Sequence, residues 1–444
     1  MHSIEKWLKE RRITEVECLV PDMAGTPRGK IMPAQRFVRE EGVRLPESLF
    51  LQTVTGEYPD DMSTAHPAEI DMVLVPDEST VRVVPWATDM TAQVIHDCCH
   101  HDGSPVGIAP RHVLRRVLNL YEEQGWKPMV APELEFFLVA KNTDPDYELE
   151  PPVGRSGRQE TVRQSYSIDA VNEFDPLFDE LYDHCEAQEL DLDTLIHESG
   201  AAQMEVNFLH ADALSRADQA FLFKRTARET ALRHGIYLTF MAKPMRGEPG
   251  SAMHVHQSVC GLGSGNNVFS NPDGSPSKLF YAHIAGLQKY TRAAMSILAP
   301  NVNSYRRIAR HDSAPINLKW GYDNRTVGFR VPISSPGSRR VENRVAGSDV
   351  NPYLALAASL ACGYLGMVQG LEPEAPFAAD AYDLDYALPR SLDQAMRELD
   401  ACEPLKDVFG HSFVAAYRAI KEREYETFFQ VISSWEREYL LLNV

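Results

Sequence analysis

The stretch Pro132-Glu133-Leu134-Glu135-Phe136-Phe137-Leu138 constrains this chain more than any other. Apolar flanks, Met129-Val130 and Val139-Ala140, extend it into a run that reads as a β-strand. Side chains alternate across a strand, so Glu133 and Glu135 project from the same face. Two carboxylates among Leu and Phe repel each other and are costly to desolvate unless something cationic sits between them. A divalent ion bound by oxygen ligands meets that need. An edge strand with one solvated face would meet it too, since carboxylates are mostly exposed. The remaining ligands decide the matter.

Three further stretches offer metal-type side chains. In His197-Glu198-Ser199-Gly200-Ala201-Ala202-Gln203-Met204-Glu205-Val206-Asn207-Phe208, a small-residue turn followed by a strand can return Glu198 and Glu205 to one site. In Gly250-Ser251-Ala252-Met253-His254-Val255-His256-Gln257-Ser258, the two histidines share a strand face. In Ser334-Ser335-Pro336-Gly337-Ser338-Arg339-Arg340-Val341-Glu342-Asn343-Arg344, a glutamate sits among arginines. Alone, each has an ordinary reading: a satisfied core histidine, an ion pair, a solvated loop acid. Together they supply five glutamates and one or two histidines, which suits Mg²⁺ or Mn²⁺ better than zinc.

Arg306, Arg307, Arg325, Arg330, Arg339, Arg340 and Arg344 cluster in a chain of net charge -19. Arginine recognises phosphate and carboxylate with a planar fork. Divalent metals, arginines and no nucleophile motif equip a site for phosphoryl transfer by positioning and charge neutralisation. No Gly-x4-Gly-Lys-Ser/Thr loop occurs, and Gly261-Leu262-Gly263-Ser264-Gly265-Asn266 reads as a hairpin turn. The acidic balance, without a basic run, argues against nucleic acid.

With 444 residues, two or more domains are expected. The first hundred residues read as a small sheet-rich domain, with strands at Val16–Val20, Gly29–Pro33, Ile70–Asp77, Val81–Trp86 and Gln93–Ile95. After Pro105–Pro110, longer strands and helices follow, with a Pro- and Gly-rich, mobile loop over Asn142–Thr161. Asn351–Leu371 reads as an apolar, buried helix, and Ser391–Arg437 as mostly helical. Scattered cysteines, seven in all, imply reduced thiols, and Cys98-Cys99-His100-His101 lacks a second pair at zinc-finger spacing. No signal-peptide core and no membrane-length apolar run are seen, so a cytoplasmic protein is expected, with no membrane or nucleic-acid partner.

The four motif stretches, in this order and running on to Asn351-Pro352-Tyr353, resemble the glutamine synthetase family over essentially the whole chain. The resemblance implies an α+β fold: a small β-grasp-like N-terminal domain, 1–104, and a catalytic domain, 105–444, with a curved antiparallel sheet and helices. It implies a homo-oligomer, usually two hexameric rings (a hexamer being the alternative), with active sites shared between neighbours. Two or three Mg²⁺ or Mn²⁺ ions per site are implied, with ATP as co-substrate. Glu135, Glu198 and Glu205 match ligands of one metal; Glu133, His254 and Glu342 match those of a second. His256, Ser258 and Arg340 match positions near the nucleotide, while Gly250, Arg307 and Arg344 match the glutamate site. Arg325 and Arg330 match phosphate-contacting catalytic arginines. The implied reaction phosphorylates the γ-carboxylate of L-glutamate, after which an amine displaces phosphate.

Departures from the family bear on the amine. Ammonia-using members carry Asp-Gly-Ser-Ser where this chain has Leu49-Phe50-Leu51-Gln52-Thr53-Val54-Thr55-Gly56, and a flap glutamate where it has Ser313 in Arg310-His311-Asp312-Ser313-Ala314-Pro315. Pro249-Gly250 replaces an Asn-Gly, and Gly337 a lysine. These losses, with Trp435-Glu436-Arg437-Glu438-Tyr439-Leu440, resemble the γ-glutamylpolyamine (γ-glutamylputrescine) synthetase branch. The expected activity is therefore ATP-dependent γ-glutamylation of an organic amine such as putrescine or spermidine, in amine catabolism. Asp312, Glu57 or another nearby acid would accept the amine proton. A monoamine seated near Leu51 and Val54 is the first alternative, then ammonia, then a catalytically silent member.

Overall fold

Val16–Val20 forms the middle of β1 (Glu15–Pro21), and the turn after it returns the chain as β2 (Pro27–Pro33), antiparallel to β1. This computed structural model describes residues 2–39, 43–63, 68–310 and 312–444; His311 of the flap lies outside them. With β3 (Val43–Pro46), β4 (Asp71–Pro76), β5 (Arg82–Val83) and β6 (Thr91–Cys99), a first sheet has the order β2-β1-β6-β4-β3, with β5 also on β6. The pair β1 and β6 is parallel. Of the strand expected over Val81–Trp86, only two residues pair.

Nine strands make the second sheet: β7 (Trp126–Val139), β8 (Leu192–His197), β9 (Gln203–Phe208), β10 (Ala211–Asp212), β11 (Tyr237–Thr239), β12 (Met253–Gly261), β13 (Trp320–Tyr322), β14 (Phe329–Val331) and β15 (Val341–Asn343). Their order is β13-β14-β15-β12-β7-β9-β8, with β10 and β11 also against β7. The opening motif is thus a central strand, not an edge. Two prolines in a central strand need explanation, since each lacks an N–H for the ladder. Pairing with β9 begins only at Glu133, so Pro128 and Pro132 lie where β7 lacks that neighbour. The sheet is antiparallel except for β13 and β14, which run parallel. Strands this short can be joined in parallel by the six residues between them, without the usual helical crossover.

Helix Ala213–Arg233 packs against β7, and helices Lys278–Leu298 and Pro352–Gln369 pack along each other. Glycines set their closeness: a Cβ on Gly286 would lie 2.2 Å from the carbonyl oxygen of Cys362. Asn351 caps Pro352–Gln369 by accepting from the amides of Tyr353 and Leu354, and Gly370 ends it in the left-handed region. By length and composition this helix could cross a membrane, yet it is buried in the core. One continuous hydrophobic cluster runs through both sheets and into the C-terminal helices. Burial ends at Lys421: Phe428, Phe429, Val431, Ile432, Trp435, Tyr439, Leu441 and Leu442 are all exposed.

Candidate functional site

Register brings the motif residues together. Glu133 on β7 pairs with His254 on β12 and with Asn207 on β9; Glu135 pairs with Glu205 on β9. His256 pairs with Glu342 on β15, which pairs with Arg330 on β14. Period-two spacing on neighbouring strands therefore puts one face of acids and histidines on one wall. That wall lines a cavity of about 700 Å³, bounded by Glu133, Glu135, Glu198, Glu205, Gly250, His254, His256, Arg307, Arg325, Arg330, Arg340, Glu342 and Arg344. All but two of the expected site residues are there.

The exceptions are Ser258 and Asp312. Ser258 shares the face of His254 and His256 but pairs with Met129, farther along β12 than the cavity reaches. The Asp312 carboxylate is engaged by the Lys243 ammonium at the cavity's edge, next to Ser313, which does line it. Among the described residues, every lining residue falls between Glu133 and Tyr382, so neither Leu49–Gly56 nor Glu57 faces the cavity of its own chain. Arg306 and Arg339 also point elsewhere; Arg339 donates to carbonyls of Gly274 and Ser275.

Two groups of ligand atoms lie closest together. Ligand atoms of Glu133, Glu205 and His254 lie within 4.8 Å of one another, as do those of Glu133, His256 and Glu342. Glu133 is common to both because it bridges two histidines: His254 Nδ1 lies 3.3 Å from one oxygen and His256 Nε2 2.8 Å from the other. Arg340 Nε donates to His256 Nδ1 at 3.1 Å, so the proton of His256 sits on Nε2 and is given to Glu133. Burial alone would raise the Glu133 carboxyl, but the His254 and His256 hydrogen bonds outweigh it and hold it well below the usual range.

Other carboxylates go the opposite way. Burial first, and Glu198 second, push Glu135 up to about 8. Glu198 is raised by burial and by Glu133, and Glu205 far above its ordinary value by burial and four neighbouring glutamates. Glu342 is held down instead, against its burial, by the Arg344 guanidinium above all. It receives Arg330 Nη1 at 2.7 Å as well as an Arg344 contact.

This is the signature of a site short of positive charge. His254 is pulled to about 4 by burial, so its imidazole is neutral, and its Nδ1 also lies 4.0 Å from Glu135 and from Glu342. Carboxylate oxygens around a neutral imidazole fit hard divalent cations. Gly250 closes the far side, where a Cβ would lie 2.4 Å from Arg307 Cγ.

Sequence reasoning did not single out Asn207, Tyr166 or Asp323, which line the cavity together with Tyr382. Asn207, two residues after Glu205, was open to the same period-two logic. Nor did it single out the brace behind Glu198. Glu160, from the polar loop expected to be mobile, accepts from Ala202 N at 2.8 Å and meets His197 Nε2 at 3.1 Å. His197 Nδ1 in turn lies 2.7 Å from the carbonyl of Glu198.

Comparison with known proteins places this geometry. Residues 107–440 match the family model described as glutamine synthetase, catalytic domain. The chain is 32% identical to the glutamate–isopropylamine ligase of a Pseudomonas species, across 98% of this chain and 96% of that one. It is equally 32% identical to γ-glutamylputrescine synthetase PuuA of Escherichia coli K12, across 99% and 94%. A solved structure of apo GmaS superposes over the full length of both chains, with a TM-score of 0.84 at 26% identity. Matched so nearly from end to end, this chain belongs to the glutamine synthetase family.

Proposed function

We propose that this protein joins the γ-carboxyl of L-glutamate to an organic amine, at the expense of ATP, through a γ-glutamyl phosphate. The observation that carries this reading is the meeting of five glutamates and His254 with Arg307, Arg325, Arg330, Arg340 and Arg344 around one cavity. Acids facing acids need cations; arginines among them suit phosphate and carboxylate.

In this reading Glu135, Glu198 and Glu205 would hold one Mg²⁺ or Mn²⁺, and Glu133, His254 and Glu342 a second, with three ions the alternative. The ions supply charge neutralisation on the nucleotide phosphates. His256 keeps Glu133 ionised and oriented; Arg340 and Ser258 serve the nucleotide side. Arg307, Arg344 and the Gly250 backbone hold glutamate so that its γ-carboxylate attacks the terminal phosphorus in line. Arg325 and Arg330 offset charge on the transferred phosphoryl group. Asp312, whose carboxylate the Lys243 ammonium engages beside Ser313, takes the proton of the attacking amine.

A polyamine such as putrescine is the proposed acceptor, in amine catabolism in the cytoplasm. It is supported by the PuuA likeness and by Ser313 standing where ammonia users carry a glutamate. A monoamine is the second reading, favoured by the isopropylamine ligase match. The division at residues 104 and 105 and a ring-shaped homo-oligomer with shared sites belong to the same proposal. Exposed apolar residues after Phe429, and a cavity with no residue from its own first sheet among those described, support assembly.

The test is phosphate release from ATP and glutamate with Mg²⁺ or Mn²⁺ across ammonium, putrescine, spermidine, ethanolamine, isopropylamine and phenylethylamine. Release dependent on an organic amine is expected. Release with none of them would overturn the ligase reading, and release with ammonium alone the amine-specific one.

A further inference from the structure

Lys224 lies within helix Ala213–Arg233, is 6% exposed, and does not line the cavity. Its ammonium has no carboxylate within ion-pair distance among the described residues. It donates instead to two backbone carbonyls, Ser348 O at 2.6 Å and Val350 O at 2.7 Å. The Phe240 ring lies 5.2 Å away, and burial pulls the lysine down to about 7. Burying an ammonium is costly, and an apolar side chain of the same volume would fill this space without that cost. A lysine here is explained by what its donors hold.

What they hold is a turn where several parts of the site converge. The Ser348 hydroxyl donates to the backbone carbonyl of Glu135, and the Ser348 amide to Ser251 O at 2.9 Å. The next amide along, Ala252 N, donates to the Glu135 carboxylate at 2.7 Å. Asp349 accepts from Asn301 Nδ2 at 2.8 Å and Ser304 Oγ at 2.6 Å, fixing the start of the short helix that carries Arg307. One turn thus touches the β7 backbone, the Gly250–Ala252 segment and the arginine helix.

We propose that Lys224 is a positioning residue for this reaction: by fastening the Ser348–Val350 turn, it sets the Glu135 carboxylate and the Gly250–Ala252 segment for the cation and for glutamate. The inference rests on the reading of the cavity given under the proposed function. A fold-stabilising role alone would lower thermal stability when the lysine is removed, and leave the folded protein's affinities unchanged. A positioning role moves the affinities and spares the stability.

Full-length wild type, Lys224→Met, Ser348→Ala and the double variant are titrated with Mn²⁺ alone by calorimetry, with melting temperature and the KM for glutamate measured alongside. Each single variant is expected to bind Mn²⁺ about tenfold more weakly, in the range for groups that orient metal ligands. KM for glutamate rises in both, while the melting temperature of Lys224→Met stays at or above wild type. The double variant binds no more weakly than the worse single one, because both changes cut the same chain of contacts. Wild-type Mn²⁺ affinity in the single variants, or losses that add in the double, would overturn the inference. If Lys224→Met does not fold, wild-type affinity in Ser348→Ala overturns it alone. A wild type that binds no Mn²⁺ would overturn the cavity reading and this one with it.

Discussion

Glu133 and His256 share a 2.8 Å hydrogen bond between β7 and β12, and Arg340 locks the far side of the same ring at 3.1 Å. With His254 this relay keeps Glu133 ionised, as Arg344 keeps Glu342, in a wall whose other three glutamates are pushed toward protonation. It separates Glu133 and Glu342, held charged by the protein's own histidines and arginines, from Glu135, Glu198 and Glu205, which call for a cation. That division underlies the first two predictions.

Glu135→Gln keeps the shape of a buried carboxyl and removes its charge. Without divalent ions its melting temperature should match wild type at pH 7, where the Glu135 carboxyl already holds its proton, and exceed it above pH 8, where a buried repulsion is relieved. In wild type, Mn²⁺ at a hundredfold excess over its Kd should add about 2.7 kcal/mol of stability. The variant should gain much less and release no amine-dependent phosphate. Thermal scans with and without Mn²⁺ check this; equal metal stabilisation and full activity in the variant would refute the ligand role.

Cation binding should expel protons. Glu135 has its folded pKa raised from the ordinary 4.5 to about 8, so its contribution to stability is full below 4.5 and is lost as pH rises through about 8. Glu198 and Glu205 shift in the same direction, while His254, at about 4, has already lost its proton at neutral pH. Mn²⁺ affinity should therefore climb as pH rises through about 8, with protons released at pH 7. Calorimetry in two buffers of different ionisation enthalpy measures that release, and identical heats would contradict it.

Much of this site was legible in the sequence because strand periodicity is a local rule. Glu133 with Glu135, and His254 with His256, needed only alternation to be assigned to shared faces, and register did the rest. Which acid meets which histidine was not legible. That Glu133, rather than Glu135, meets both histidines depends on β12 lying against β7 on one side and β9 on the other. The parts played by Lys224 and Glu160 were not legible, because they lie in contacts to the backbone of residues distant in sequence, which leave no pattern of their own. In the fold, long amphipathic and apolar helices were read well. The parallel pair β13 and β14 was not, since three-residue strands carry too little periodicity to show direction.

Asp312→Asn tests the proposed base. With Lys243 beside it, the amide keeps a hydrogen-bond partner, so the flap should hold its place. A lost general base lowers kcat by roughly a hundredfold or more, with little change in KM for the amine. A raised KM at unchanged kcat would instead make the Lys243 contact a latch on the flap.

Ser313→Glu tests amine choice. Ser313 lines the cavity at a backbone φ of 63°, and a carboxylate there supplies the anion that ammonia users of the family carry. The variant should gain activity with ammonium and lose it with bulkier amines. An unchanged ratio across the amine panel would place selectivity elsewhere, with the Leu49–Gly56 segment, which the proposed assembly would bring in from a second copy, the next to change.

The central claim is that glutamate's γ-carboxylate is phosphorylated before the amine attacks. If so, one of its oxygens must leave as phosphate oxygen in every turnover. Glutamate labelled with ¹⁸O in the γ-carboxyl, incubated with ATP, Mg²⁺ and the best amine, should yield phosphate carrying one ¹⁸O. Mass spectrometry of the released phosphate reads it directly, and unlabelled phosphate formed alongside the γ-glutamyl amide would contradict the account.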